Sequence, residues 1–244
     1  ENIMKLLAVL LLMIGVANAQ ITPDYAKETR WAEQVEEGLM DGDSVWLTAS
    51  DHEFMTIYTP SETDTIKTAV VVHGSGVHPD WVQVIQPLRV ALTTQGFNTL
   101  SIQMPVLAND AQSGEYKQLL GHADLRIKAA VEYLEKEGLV SDVLVAHSLG
   151  SVMSTHYLAN FKHPFKRFVG IGMGPATADY LKKIDVPVFD LYGDEDLESV
   201  LKSVKDRARS SKNNLNYLQM KVSSDHFFND KDSLLIESVG TWLK

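Results

Sequence analysis

The chain of 244 residues is 45% hydrophobic, contains no cysteine and carries a formal net charge of −10. Its length suits one domain with a sizeable core, and its acidity makes nucleic acid and anionic lipid poor partners. Without cysteine it has no disulfide framework, no thiol nucleophile and no lipoprotein acceptor.

The first segment reads as an export signal. Met4-Lys5 lead into an apolar run over residues 6–16, and Ala17-Asn18-Ala19 forms an A-x-A cleavage site before Gln20. The run is too short to span a bilayer comfortably, and no stop-transfer charges follow it. Residues 1–19 are expected to be a signal peptide with a short extension ahead of Met4. Residues 20–244 are then a single mature domain, periplasmic or secreted, with no stable membrane insertion once the leader is cut.

Residues 24–39 have helical periodicity, with Trp31, Val35 and Leu39 four apart, and Asp41-Gly42-Asp43 breaks the helix. Two β-rich runs at 45–49 and 54–59 flank Ser50-Asp51-His52 as a hairpin. From there strands alternate with helices. Apolar strands are expected at 68–72, 98–102, 143–146, 168–171, 188–192 and 215–222. Helices are expected over 81–92, with Pro87 kinking it or opening its regular part, and over 120–134, 149–158, 180–184, 197–209 and 233–243. Such alternation predicts an α/β domain of three layers, a mostly parallel sheet with helices on both faces and an antiparallel N-terminal hairpin at one edge. The stretch 172–186 has room for only a turn and a short helix, so no large cap is expected. The polar loop 106–118 is the other candidate wall of a site.

In sheets of this kind chemistry gathers at the carboxyl ends of the strands. The strand 143–146 runs directly into His147-Ser148-Leu149-Gly150 and a helix, which places Ser148 at the apex of a tight turn between the small residues Ala146 and Gly150. That is the pattern of a nucleophile elbow, with alanine at the first small position; the plain alternative is a serine that caps a helix. A serine hydroxyl needs a base and an acid behind the base. His226 lies just past the last strand, and the turn Gly193-Asp194-Glu195-Asp196 lies past the strand before it. Asp196 is preferred as the acid with Asp194 in reserve, while Asp190, inside the strand, reads as structural. Oxyanion donors are expected at the N–H groups of Leu149, which follows the nucleophile, and Ser75, in the loop His73-Gly74-Ser75-Gly76 after the first parallel strand. His73 should brace that loop and His147 line the pocket. No cofactor or metal is implied, since His78 and Asp80 lack a third ligand.

Taken together, Val72-His73-Gly74-Ser75-Gly76, Ala146-His147-Ser148-Leu149-Gly150, Gly193-Asp194-Glu195-Asp196 and Asp225-His226 resemble the α/β-hydrolase superfamily over about residues 67–244. His78-Pro79-Asp80-Trp81 and Leu100-Ser101-Ile102-Gln103-Met104-Pro105 resemble, more narrowly, an uncharacterised family of exported bacterial α/β-hydrolases. The resemblance implies the fold and the triad Ser148, Asp196, His226, and no particular substrate. The expected activity is carboxylesterase-like cleavage of a small-molecule or envelope ester through an acyl-enzyme. The alternatives are an acyltransferase or thioesterase, and a non-catalytic envelope binding module on the same fold.

Overall fold

A computed structural model describes residues 21–244. The leader expected at residues 1–19 lies outside the described residues. In chain order the elements are α1 (Tyr25–Gly38), β1 (Asp43–Ala49), β2 (His52–Thr59), β3 (Lys67–Val72), α2 (Ile85–Ala91), β4 (Asn98–Ile102), α3 (Leu120–Lys136), β5 (Val140–His147), α4 (Leu149–Asn160), β6 (Arg167–Ile171), α5 (Ala178–Leu181), β7 (Val188–Glu195), α6 (Glu198–Ser210), β8 (Tyr217–Asp225) and α7 (Asp232–Leu243). Short 3₁₀ turns follow α2 and precede α3 and α5. The strands form one sheet in the order β1-β2-β4-β3-β5-β6-β7-β8. β2 runs antiparallel to both its neighbours, and every pairing from β4 through β8 is parallel.

The central strands are buried along nearly their whole length because both faces are covered. Val70, Val72, Leu144, Ala146 and Phe168 pack with side chains of α3, α4 and α5. The alternate positions Ala69, Val71, Val143, Val145 and Phe189 pack with α2 and α7. Each large apolar side chain taken fully out of water contributes about 1.5–3 kcal/mol, so the centre of the sheet is a rigid base for whatever its strand ends carry. At the edge, Ala32 and Val35 of α1 cover Met55 and Ile57 of β2. Asp24 caps α1 by accepting the Lys27 N–H at 3.0 Å, a contact worth about 1 kcal/mol.

Two buried ion pairs join layers. Arg126 of α3 forks onto Glu28 of α1 at 2.9 and 3.1 Å and donates to the Gln103 carbonyl. Arg207 of α6 holds Asp190 of β7 at 2.8 and 3.2 Å and also donates to the Met173 carbonyl beyond β6. Asp190 accepts from Tyr217 and Gln219 as well. It is a structural carboxylate. Among the described residues no helix is long and apolar enough to cross a membrane.

The structure departs from the sequence reading at several boundaries. The helix expected from Trp81 starts at Ile85, and Trp81 sits in the turn before it. Pro87 therefore lies in the first turn, where its missing N–H costs nothing. The loop 106–118 is less polar in effect than in composition, since it contains a 3₁₀ turn (Ser113–Leu119) and buries Val106, Leu107 and Tyr116. β7 ends three residues later than expected, and β8 starts two residues later and ends three residues later. Their pairing continues past Gly193 through an irregularity, and ends with Glu195 opposite Asp225.

Candidate active site

The register of the parallel strands brings the site together. Val72 of β3 pairs with Ala146 of β5, so the next residues, His73 and His147, lie side by side, followed by Gly74 and Ser148. His147 pairs with Ile171 of β6, which sets Gly172 beside Ser148. Glu195 pairs with Asp225, which sets Asp196 beside His226. Four neighbouring strands thus end in Ser148, Gly172, Asp196 and His226, in that order across the sheet.

Ser148 sits at φ 53°, ψ −123°, a conformation costly for a residue with a Cβ. Its N–H is held by the Ile171 carbonyl at 2.8 Å. A side chain at Gly150 would collide with the His73 carbonyl oxygen and lie 2.8 Å from that of Val72, which is why the turn needs a small residue there. Ser148 occupies the N-cap position of α4, yet its hydroxyl makes no capping bond. Instead Ser148 Oγ lies 2.9 Å from His226 Nε2. The hydroxyl is thus turned toward the imidazole rather than onto the helix N-terminus.

On the other side of the ring, His226 Nδ1 lies 2.5 Å from Asp196 Oδ1. The carboxylate accepts, so Nδ1 carries the proton and Nε2 faces the hydroxyl. Asp196 is itself oriented by the N–H groups of Leu197 at 2.7 Å and Gly193 at 3.3 Å. Both Asp196 and His226 are buried, at 5% and 4% exposure, whereas Ser148 is half-buried and open to a ligand. Asp194 is elsewhere engaged and accepts the Ser224 N–H at 3.1 Å. To reach Ser148 from β8 the imidazole crosses in front of β6, and the space it uses is that of a missing side chain. A Cβ at Gly172, where φ is +59°, would lie 2.8 Å from His226 Cε1 and 2.9 Å from its Nδ1.

The loop expected to hold the second oxyanion donor meets the nucleophile directly, since a Cβ on Gly74 would lie 3.2 Å from that of Ser148. Ser75 follows Gly74 at the exposed rim, and Leu149 opens α4 on the other side. His73 braces the loop. Its Nδ1–H donates to the Gly74 carbonyl, and its Nε2 accepts the Met104 N–H, both at 2.8 Å. Burial pushes this imidazole down to about 3, so it stays neutral in both roles. His147, expected to line the pocket, has a different place. Its Nε2–H donates to the His226 carbonyl at 2.9 Å, and its ring lies 4.8 Å from that of His226. Burial, and then the neighbouring His226, push His147 down to about 4. It holds the segment that carries His226. The sequence reading missed this role, and it missed Gly172, although glycines at positions 170, 172 and 174 around a strand end are a visible sign of close approach. Asp80, once weighed as a ligand, is paired with Arg89 at 2.5 Å.

Comparison with known proteins bears on the fold. The family described as "Protein of unknown function (DUF3530)" matches residues 14–120, which is less than half of the chain and stops short of Ser148. No curated protein matches the chain. Among solved structures, Est1E from Butyrivibrio proteoclasticus superposes with a TM-score of 0.67 at 16% identity, over 82% of this chain and 97% of that one. The esterase Pf2001 of Pyrococcus furiosus gives 0.69 at 15% identity, over 86% and 94%. Dienelactone hydrolase from Anabaena variabilis gives 0.66 at 16% identity, over 82% and 95%. The chain has the α/β-hydrolase fold. Seen as an α/β-hydrolase fold, its segment between β6 and β7 is short, with a 3₁₀ turn and the four-residue α5 and no inserted cap domain. Proton transfer from a serine hydroxyl to an acid-backed imidazole, under two converging backbone elements, is the chemistry this arrangement can perform.

Proposed function

We propose that the protein is an exported serine hydrolase that cleaves carboxylic esters through an acyl-enzyme on Ser148. The observation that carries this reading is the unbroken chain from Ser148 Oγ to His226 Nε2 at 2.9 Å and from His226 Nδ1 to Asp196 Oδ1 at 2.5 Å. In the proposed reaction Ser148 Oγ attacks the ester carbonyl carbon while its proton passes to His226 Nε2, and Asp196 stabilises the imidazolium. The oxyanion is met by the N–H groups of Ser75 and Leu149. The carbon–oxygen bond to the alcohol then breaks, and His226 returns its proton to the leaving oxygen. Water, deprotonated by the same histidine, releases the acid and restores Ser148.

Support also comes from the fold, since two of the superposed structures are named esterases or hydrolases, and Est1E has been seen with ferulic acid bound, a carboxylic acid of the kind an ester releases. Export rests on the leader pattern of residues 4–19 alone, and places the mature enzyme in the periplasm or medium. The test is labelling by a fluorophosphonate together with turnover of simple nitrophenyl esters. Wild-type protein should show both, and Ser148→Ala should lose both while keeping its circular dichroism. Undiminished turnover in the alanine variant would overturn the assignment.

A further inference from the structure

α3 and α4 both descend from the face of the sheet that carries Ser148, and a cleft of about 280 Å³ opens between their first turns. It is lined by Tyr116 and Lys117 from the turn before α3, by Leu120 of α3, by Leu149 and Val152 of α4, and by Tyr180 of α5. Leu149, the residue that follows Ser148 in the chain, forms part of its wall. Most of the lining is aliphatic or aromatic, and its two charged residues, Lys117 and Asp179, are exposed.

One turn further down, the two helices are bridged. The residues that follow Leu120 and Val152 by one helical turn on the same faces are Asp124 and His156. They are joined across the two helices, with His156 Nδ1–H donated to Asp124 Oδ1 at 2.9 Å. The Tyr180 ring stands edge-on against His156, with centroids 5.1 Å apart, so the same bridge also steadies one side wall. Asp124 is buried and His156 half-buried, and the bond gives the buried carboxylate the partner it requires. His156 lies just over two helical turns from Ser148, about 12 Å along the axis.

We propose that this cleft is the acyl-binding subsite, that it takes an apolar acyl group of limited length, and that the Asp124–His156 bridge is its end wall. The proposal rests on the reading of Ser148 as an ester-cleaving nucleophile. The acyl group is the part of an ester that stays on Ser148 Oγ after the alcohol leaves. With its carbonyl oxygen at the Leu149 N–H, its chain lies along the Leu149 side, where the cleft begins. The limit follows from the two-turn depth: chains much longer than about 10 Å meet the bridge.

The experiment is a series of p-nitrophenyl esters from acetate to laurate, in which the alcohol is constant and only the acyl chain varies. Wild-type kcat/KM should rise with chain length while methylenes enter the cleft and fall roughly tenfold or more once the chain exceeds it, a scale set by the 10–200-fold effect of single misfitted methylenes. His156→Ala, which removes the wall, should move the optimum to longer chains. Val152→Phe, which fills the cleft above the wall, should move it to shorter ones and lower the hexanoate-to-acetate ratio about tenfold. The second variant keeps the test decisive if the first fails to fold. Ester cleavage by Ser148 with the same length profile in wild type and the folded variants would overturn the subsite and leave the serine hydrolase reading intact. Absence of both turnover and fluorophosphonate labelling would overturn the serine hydrolase reading, and the subsite with it.

Discussion

At the scale of single residues the two acids of one short turn have separate tasks. Asp196 touches His226 Nδ1 and Asp194 holds the Ser224 N–H. Asp196→Asn should therefore cost on the order of 10⁴ in turnover, since an amide no longer fixes the tautomer or stabilises the imidazolium. Asp194→Asn should cost about 1 kcal/mol of stability and little turnover. Steady-state kinetics on both variants checks the order, and a crippled Asp194→Asn enzyme would reverse it. Two further residues make stability depend on pH. His73 and His147 are held by burial near 3 and 4, against an ordinary histidine value of 6.5. Below 6.5 the unfolded chain takes up protons that the folded chain refuses, so acid favours unfolding, and stability is regained as pH rises toward 6.5. The slope for the pair is at most about 2.7 kcal/mol per pH unit between 6 and 4. Urea unfolding at a series of pH values should show stability falling across this window, with a shallower fall in His147→Gln. Equal slopes in the two proteins would refute the role given to His147.

At the scale of elements, the site depends on what β6 omits. His226 reaches Ser148 only because Gly172, at the end of β6, leaves room for the imidazole. The neighbouring segment has little freedom to move aside, because Arg207 of α6 grips the Met173 carbonyl at 2.7 Å while its other nitrogens hold Asp190. Gly172→Ala should therefore displace the ring rather than the backbone. A displacement near 1 Å costs about 10² in rate, so kcat should fall by roughly that factor, with KM and far-ultraviolet circular dichroism nearly unchanged. Retention of wild-type kcat would show that the imidazole has another route to Ser148. Gly150 is bound to its position in the same manner by the carbonyls of His73 and Val72.

At the scale of the whole molecule, the open prediction concerns export. With its full leader, the protein expressed in a bacterium should appear outside the cytoplasm with a mass that begins at Gln20. A soluble cytoplasmic product retaining residues 4–19 would contradict the signal-peptide reading. The described residues bury their apolar surface in two layers about one sheet, and none of their helices is long and apolar enough to cross a membrane.

What the sequence determined by itself is the set of features carried by local pattern. Hydrophobic period separates strands from helices, and β4 runs over 98–102 as expected because Leu100 and Ile102 alternate with Thr99 and Ser101 in a short stretch bounded by Gly96 and Pro105. The abrupt passage from a buried strand through Ser148 into α4 is also local, as is the place of His226 at a strand's end. The choice among side chains that share a neighbourhood was left to the tertiary structure. Asp194 and Asp196 stand two apart in one turn, and the Glu195–Asp225 pairing, which lets β7 and β8 run past Gly193, decides which of them meets the ring. His147 acts on a carbonyl 79 positions away, and the Asp124–His156 bridge joins residues 32 apart on different helices. Periodicity reports which face a residue presents, and it carries no record of the partner that face will meet. That partner is set by strand order and register, which arise when the whole sheet closes over its core.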